Sequence, residues 1–170
     1  MRAIGHTAAR RLLTVLETVE GYAATLAYAG VAALLIGDVI AREVFASPIL
    51  GSQSLAVLAA IVAGFLGLSL ATSSGSHLRP EFLDRALPPR FDPFVSRASD
   101  LIAAVFYVAI AVFALRFVDQ SRVAGDRAAV LYFQLWPIQL VIPYAFISSA
   151  LRHMTYALYP DLKHARKGDI

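Results

Sequence analysis

The stretch Val44–Ser76, VFASPILGSQSLAVLAAIVAGFLGLSLATSSGS, contains no Asp, Glu, Lys or Arg. A bilayer-crossing helix needs roughly 20 apolar residues, and each charge near the bilayer centre costs about 2.5–3.5 kcal/mol. A run this long without charge therefore marks a membrane span. Three further charge-poor runs accompany it, at Gly21–Gly37, Leu101–Leu115 and Ala128–Leu151. Together they predict an all-α polytopic membrane protein with transmembrane helices over 21–42, 51–76, 94–121 and 128–155. A single four-helix membrane domain then fills residues 1–170. The composition points the same way, with 58% hydrophobic and 16% charged residues. Soluble domains average about 45–50% and 25%, and disordered chains depart in the opposite direction. The absence of cysteine excludes thiol catalysis, thiolate zinc sites and disulfide scaffolds.

Lys and Arg in the connections orient such a protein. Eleven of the 15 basic residues fall in the N-terminal segment, middle loop and C-terminal segment, against Arg42, Arg116, Arg122 and Arg127 on the other side. Both termini are therefore expected in the cytoplasm, and the net charge of +3 calls for no nucleic-acid partner. Glu17 and Glu20 interrupt the first apolar region, and no cleavage site follows, so a signal peptide is not expected. Leu12, Leu16 and Val19 share a helical face with Arg10, Glu17 and Glu20 off it. The segment reads either as an interfacial lead-in or as an extension of the first helix. In the middle loop, Leu78, Phe82, Leu83, Ala86 and Leu87 recur at helical spacing opposite Arg79, Glu81, Asp84 and Arg85. An amphipathic arm over 78–87, lying in the membrane plane, is predicted.

Helices associate in lipid through close packing, so small residues at four-residue spacing predict contact faces. Ala29, Ala33 and Gly37 form one stripe; Ala56, Ala60 and Gly64, then Gly67, Ala71 and Gly75, form two more. Pro137 and Pro143 are expected to bend the fourth helix. Its bulky outer end, including Tyr132 and Trp136, reads as an interfacial belt or a partner surface. Ion-coupled transporters place ionisable groups near the bilayer midplane, and here none is expected deep in a span. Asp38 with Arg42, and Arg116 with Asp119, stand at outer helix ends at spacings of four and three. Each pair either neutralises itself or forms part of an outer docking face. His77 and His153 end the second and fourth spans, where a histidine serves as a polar end group. No G-x-S-x-G, H-E-x-x-H or Gly-rich phosphate loop occurs, so no catalytic, cofactor-binding or metal residue is nominated.

Asp38-Val-Ile-Ala-Arg42-Glu-Val-Phe45 followed by Pro48 resembles the opening of the small membrane subunit of tripartite ATP-independent periplasmic (TRAP) transporters. Phe65-Leu-Gly67, Gly75-Ser-His77-Leu78, Leu87-Pro88, Leu135-Trp136-Pro137, Val141-Ile142-Pro143 and Leu151-Arg152 follow the same family's order across nearly the whole chain. Gly51-Ser52-Gln53-Ser54 stands where the family usually shows an aromatic and one or two acidic residues, and Thr72-Ser73-Ser74 where it often has a basic one. Roles tied to those positions are not carried over. The resemblance implies a non-enzymatic scaffold subunit of the inner membrane, bound to a large membrane subunit that holds the substrate and sodium sites. A periplasmic solute-binding protein would deliver an organic acid to the outer face, and no cofactor is implied in this chain. It further implies an outer docking face at Asp38, Arg42, Arg116 and Asp119, and a scaffold interface at His77, Phe82, Leu83 and Trp136. The alternative from another class is a haem- or quinone-binding anchor of a redox complex.

Overall fold

The computed structural model describes residues 2–73 and 92–162. His77, Phe82, Leu83 and the 78–87 arm lie outside the described residues. The described chain is largely helical, and among its residues the sole β feature is an isolated bridge, Arg127 to Gln134.

The first helix, α1 (Arg2–Phe45), runs unbroken for 44 residues. At 1.5 Å per residue it is about 66 Å long, more than twice the ~30 Å hydrocarbon core. The N-terminal segment is thus an extension of the first span. Its buried face differs from the expected one: Leu13 and Glu20 are buried, while Leu12 and Val19 are exposed. After a turn through Ala46 (φ 49°) and Gly51 (φ 82°), α2 (Ser52–Ser73) returns for 22 residues. The helix α3 (Asp92–Ala124) ends on Gly125 (φ 71°). Gly125 N–H donates to the Arg122 carbonyl and Asp126 N–H to the Ser121 carbonyl, the paired reverse bonds of a Schellman stop. α1, α2 and α3 are each long and apolar enough to cross a membrane.

Residues 128–135, expected as the start of the fourth span, form a tight loop instead. Ala128 N–H bonds the Phe133 carbonyl, and Tyr132 takes a left-handed φ of 56°. A single turn, α4 (Trp136–Gln139), and α5 (Val141–Leu158, 18 residues) follow, joined through Leu140. Pro137 and Pro143 both fall in the first turns of these helices. Orphan N–H groups are expected there anyway, so neither proline breaks a bond.

Contacts run in the order α1–α2–α5–α3, with α1 barely touching α5. The helices form a row of two hairpins joined along α2 and α5. Alanine dominates the seams: Ala24 on α1, Ala56 and Ala63 on α2, Ala103, Ala104, Ala111 and Ala114 on α3, Ala145 and Ala150 on α5. Ala29, Ala33, Ala60 and Gly64, expected at contacts, are exposed. A strict four-residue step advances 400° and drifts off a neighbour, whereas the buried stripe of α2 turns back through steps of three at Ala63, Leu66, Ser69 and Thr72.

Gly51 locks the two loops together at one end of the row. A Cβ there would stand 2.8 Å from Leu131 Cδ2, on a backbone of positive φ. Gly51→Val is therefore expected to cost about 1–3 kcal/mol. In detergent-purified protein the thermal midpoint should fall, and Leu131→Ala in the same chain should recover only the steric part.

Candidate functional site

The most concentrated chemistry lies where α1, α2 and α5 meet. Glu20 and Arg152 have fully buried side chains and bond at 2.5 Å, Arg152 Nη2 donating to Glu20 Oε2. Ser69 donates to the same oxygen at 2.8 Å. Ser148, at 2.5 Å, and Tyr144, at 3.2 Å, donate to Oε1. A carboxylate has about four lone-pair positions, so Glu20 is saturated in its ionised form. Arg152 is not: its Nε and Nη1 are buried with no hydrogen-bond partner among the described residues.

A polar layer surrounds the pair. Thr72 and Ser149 hydroxyls meet at 3.3 Å between α2 and α5. Ser73 donates to Glu17 at 3.2 Å, and Tyr156 donates to the Ser73 carbonyl at 3.3 Å. On the α3 side, His153 Nδ1 lies 3.1 Å from Asp100 Oδ1, with both side chains buried. The His153 ring stacks on Tyr107 with centroids 5.5 Å apart, and Tyr107 stacks on Phe146 at 6.2 Å. His153 is thus packed inside the helix row, not an exposed polar end group. The α5 sequence brings two adjacent cationic or titratable side chains, and each meets a carboxylate from an earlier helix.

Sequence reasoning missed this site by treating Glu20 as an interruption and Arg152 as a flanking charge. The available signal was Tyr144, Ser148, Arg152 and Tyr156, polar side chains at four-residue steps along one helix.

At the opposite, loop end the four nominated docking residues separate. Asp38 is buried: one oxygen bonds Arg42, and the other accepts the Ile49 N–H at 2.9 Å, closing the turn into α2. Arg42 remains about half exposed. Asp119 pairs with Arg122 at 2.9 Å, not with Arg116, since Arg122 completes the same helical turn from the other side. Arg116 is exposed and without a partner among the described residues. Trp136 is half-buried and donates from Nε1 to Gln134 Oε1 at 2.7 Å. Among the described residues no group of three or more His, Cys, Asp or Glu could hold a metal ion.

Removing either member of the buried pair strands the other charge. Glu20→Leu or Arg152→Met alone should destabilise the fold by about 3–5 kcal/mol, while the double substitution should recover most of that loss. A double-mutant cycle on thermal unfolding measures the coupling, and additive losses would refute it. Asp100→Leu should likewise lower the thermal midpoint, with His153→Phe in the same chain restoring it.

Two comparisons bear on this arrangement. A family model described as "Tripartite ATP-independent periplasmic transporters, DctQ component" matches residues 31–163. The chain is also 27% identical over 121 residues to the "Sialic acid TRAP transporter permease protein SiaT" of Haemophilus influenzae (strain 86-028NP). That match covers 68% of this chain and spans a fifth, 20%, of the relative's length.

Proposed function

This chain belongs to the DctQ-component family of tripartite ATP-independent periplasmic transporters, and on that premise we propose that it is the small scaffold subunit of a secondary active transporter in the bacterial inner membrane. As a member of that family it is a multi-pass membrane component of a transport system. In our reading it braces a large membrane subunit, which imports an organic acid with sodium that a periplasmic binding protein delivers. The carrying observation is the internal use of buried charge. Glu20 with Arg152, Asp100 with His153, and Asp38 with Arg42 are each engaged within the chain. Ion- and substrate-handling groups serve by facing a cavity, whereas these face one another across packed helices. The permease relative fits this division, because four fifths of its length has no counterpart in the match. Its named substrate, a sialic acid, is itself a carboxylic acid.

Pairing of Arg152 and His153 with carboxylates supports a fourth crossing by α5, which leaves both termini on one side. The eleven-to-four distribution of basic residues then favours a cytoplasmic location for them. The loop end becomes the periplasmic face, where Arg42, Arg116 and Asp119 are exposed for docking and Asp38 holds the turn beneath them.

Affinity purification in mild detergent tests the reading. We expect a large multi-helix membrane protein at comparable stoichiometry. Isolation of the chain alone would defeat the scaffold role, and a haem Soret band would favour the redox-anchor alternative. In reconstituted vesicles, Arg42→Gln, whose amide can still donate to Asp38, should slow uptake several-fold at limiting binding protein while leaving the complex intact, because rim charges act mainly on association rate. Unchanged uptake would remove Arg42 from the docking face.

A further inference from the structure

Between α3 and α5 runs a groove of about 280 Å³ that nothing in the polar layer explains. Its walls are Ala104, Val108 and Leu115 of α3 with Ile147, Ala150 and Met154 of α5, and almost no polar surface lines it. Its floor is the buried Ala104, Ala111 and Ala150, small side chains flanked by the larger, more exposed Val108, Leu115, Ile147 and Met154.

Two charges set the groove's depth in the bilayer. Arg97 and Arg116 are both exposed and lie nineteen residues apart on α3, which is about 28 Å along the helix and matches the ~30 Å hydrocarbon core. Asp100, the one acidic or basic residue between them, is turned inward onto His153. Arg116 therefore stands at the headgroup level of one leaflet. From Ala104 to Leu115 the groove then extends about 16 Å down from that level, close to the ~15 Å depth of a single leaflet's hydrocarbon. A helix crossing the whole membrane would need twice that length.

The groove mouth is also charged. Arg116 lies one helical turn beyond Val112, a wall residue, and has no partner among the described residues. Asp119 stands over the same mouth, but Arg122 holds its carboxylate, which leaves one net positive charge. Guanidinium groups suit phosphate oxygens, and anionic lipids gain about 1 kcal/mol per basic side chain near a membrane surface.

We propose that this groove is a phospholipid site: one acyl chain lies between α3 and α5, with the lipid phosphate on Arg116 and a preference for an anionic headgroup. The proposal requires only that α3 crosses the bilayer, and does not depend on the transporter reading.

The test uses the full chain, in the assembly in which it is isolated, reconstituted in phosphatidylcholine vesicles with a minor fraction of phosphatidylglycerol bearing a mid-chain diazirine. After photolysis, peptide mapping should place the label on the wall positions of Ala104–Leu115 and Ile147–Met154. It should be sparse at Phe106 and Phe113, which are exposed on the far side of α3. Val108 is a half-exposed wall position, so Val108→Phe should fill the groove without disturbing the seam and abolish the wall label. Arg116→Gln should weaken it about fivefold, the factor that corresponds to ~1 kcal/mol. Equal labelling on both sides of α3 in the wild-type chain would reduce the site to ordinary annular lipid. Loss of the wall label whenever the large membrane partner is present would mean that protein occupies the groove, and would overturn the proposal. Labelling indifferent to Arg116→Gln would refute the phosphate contact.

Discussion

Glu20 stands where α1, α2 and α5 converge, and its carboxylate already accepts from Arg152, Ser69, Ser148 and Tyr144. The rest of the helix row depends on that junction. α1 and α5 come close over only a short length, where the Glu20 carboxylate meets Arg152, Ser148 and Tyr144 and Leu13 packs on Tyr156. Two hairpins packed through alanine seams could slide, since dispersion between small side chains is weakly directional. A saturated carboxylate cannot slide without losing donors in a medium that offers no replacement. The pair thus sets the register of one hairpin against the other.

The same constraint explains how α5 can carry Arg152 and His153 at all. Each would be costly in a helix exposed to lipid, and among the described long helices α5 alone lacks a stretch apolar enough to cross a membrane by composition. Its polar residues are matched in space, with Arg152 turned to α1 and His153 turned to α3, through carboxylates that precede them in the chain. The helix is stable in its place because its neighbours supply counter-charge. Breaking one partner costs more than the pair contributes, the usual asymmetry of buried ions.

Helix type and three of the four spans were legible from charge-free runs such as Val44–Ser76, because lipid penalises charge more strongly than any propensity acts. The turn chemistry at Asp38 and Arg42 was also visible as a four-residue step, though not the use of Asp38 to accept the Ile49 N–H. What failed was facing. Ala29, Ala33, Ala60 and Gly64 satisfy the small-residue rule and are nonetheless exposed, since the rule says which surfaces can approach closely and not which neighbour arrives. Glu20 and Arg152 lie 132 residues apart. No local pattern links them, and each read alone is an ordinary flanking charge.

The two ends of the row use charge in opposite ways. At the end with Glu20, Asp100, Arg152 and His153, charges are buried, paired and directed inward, where they fix helices. At the loop end, Arg116 and the Asp119–Arg122 pair are exposed, and exposed pairs contribute only about 0–1 kcal/mol to stability. Stability therefore accounts for the first set and leaves the second over. Charges that do little for their own fold are free to act on what approaches it, as the docking and lipid contacts we propose would have them do. The inward set makes those approaches productive: a surface held by a register-fixing ion pair presents its charges at constant spacing. Constant spacing is what the scaffold role we propose would require.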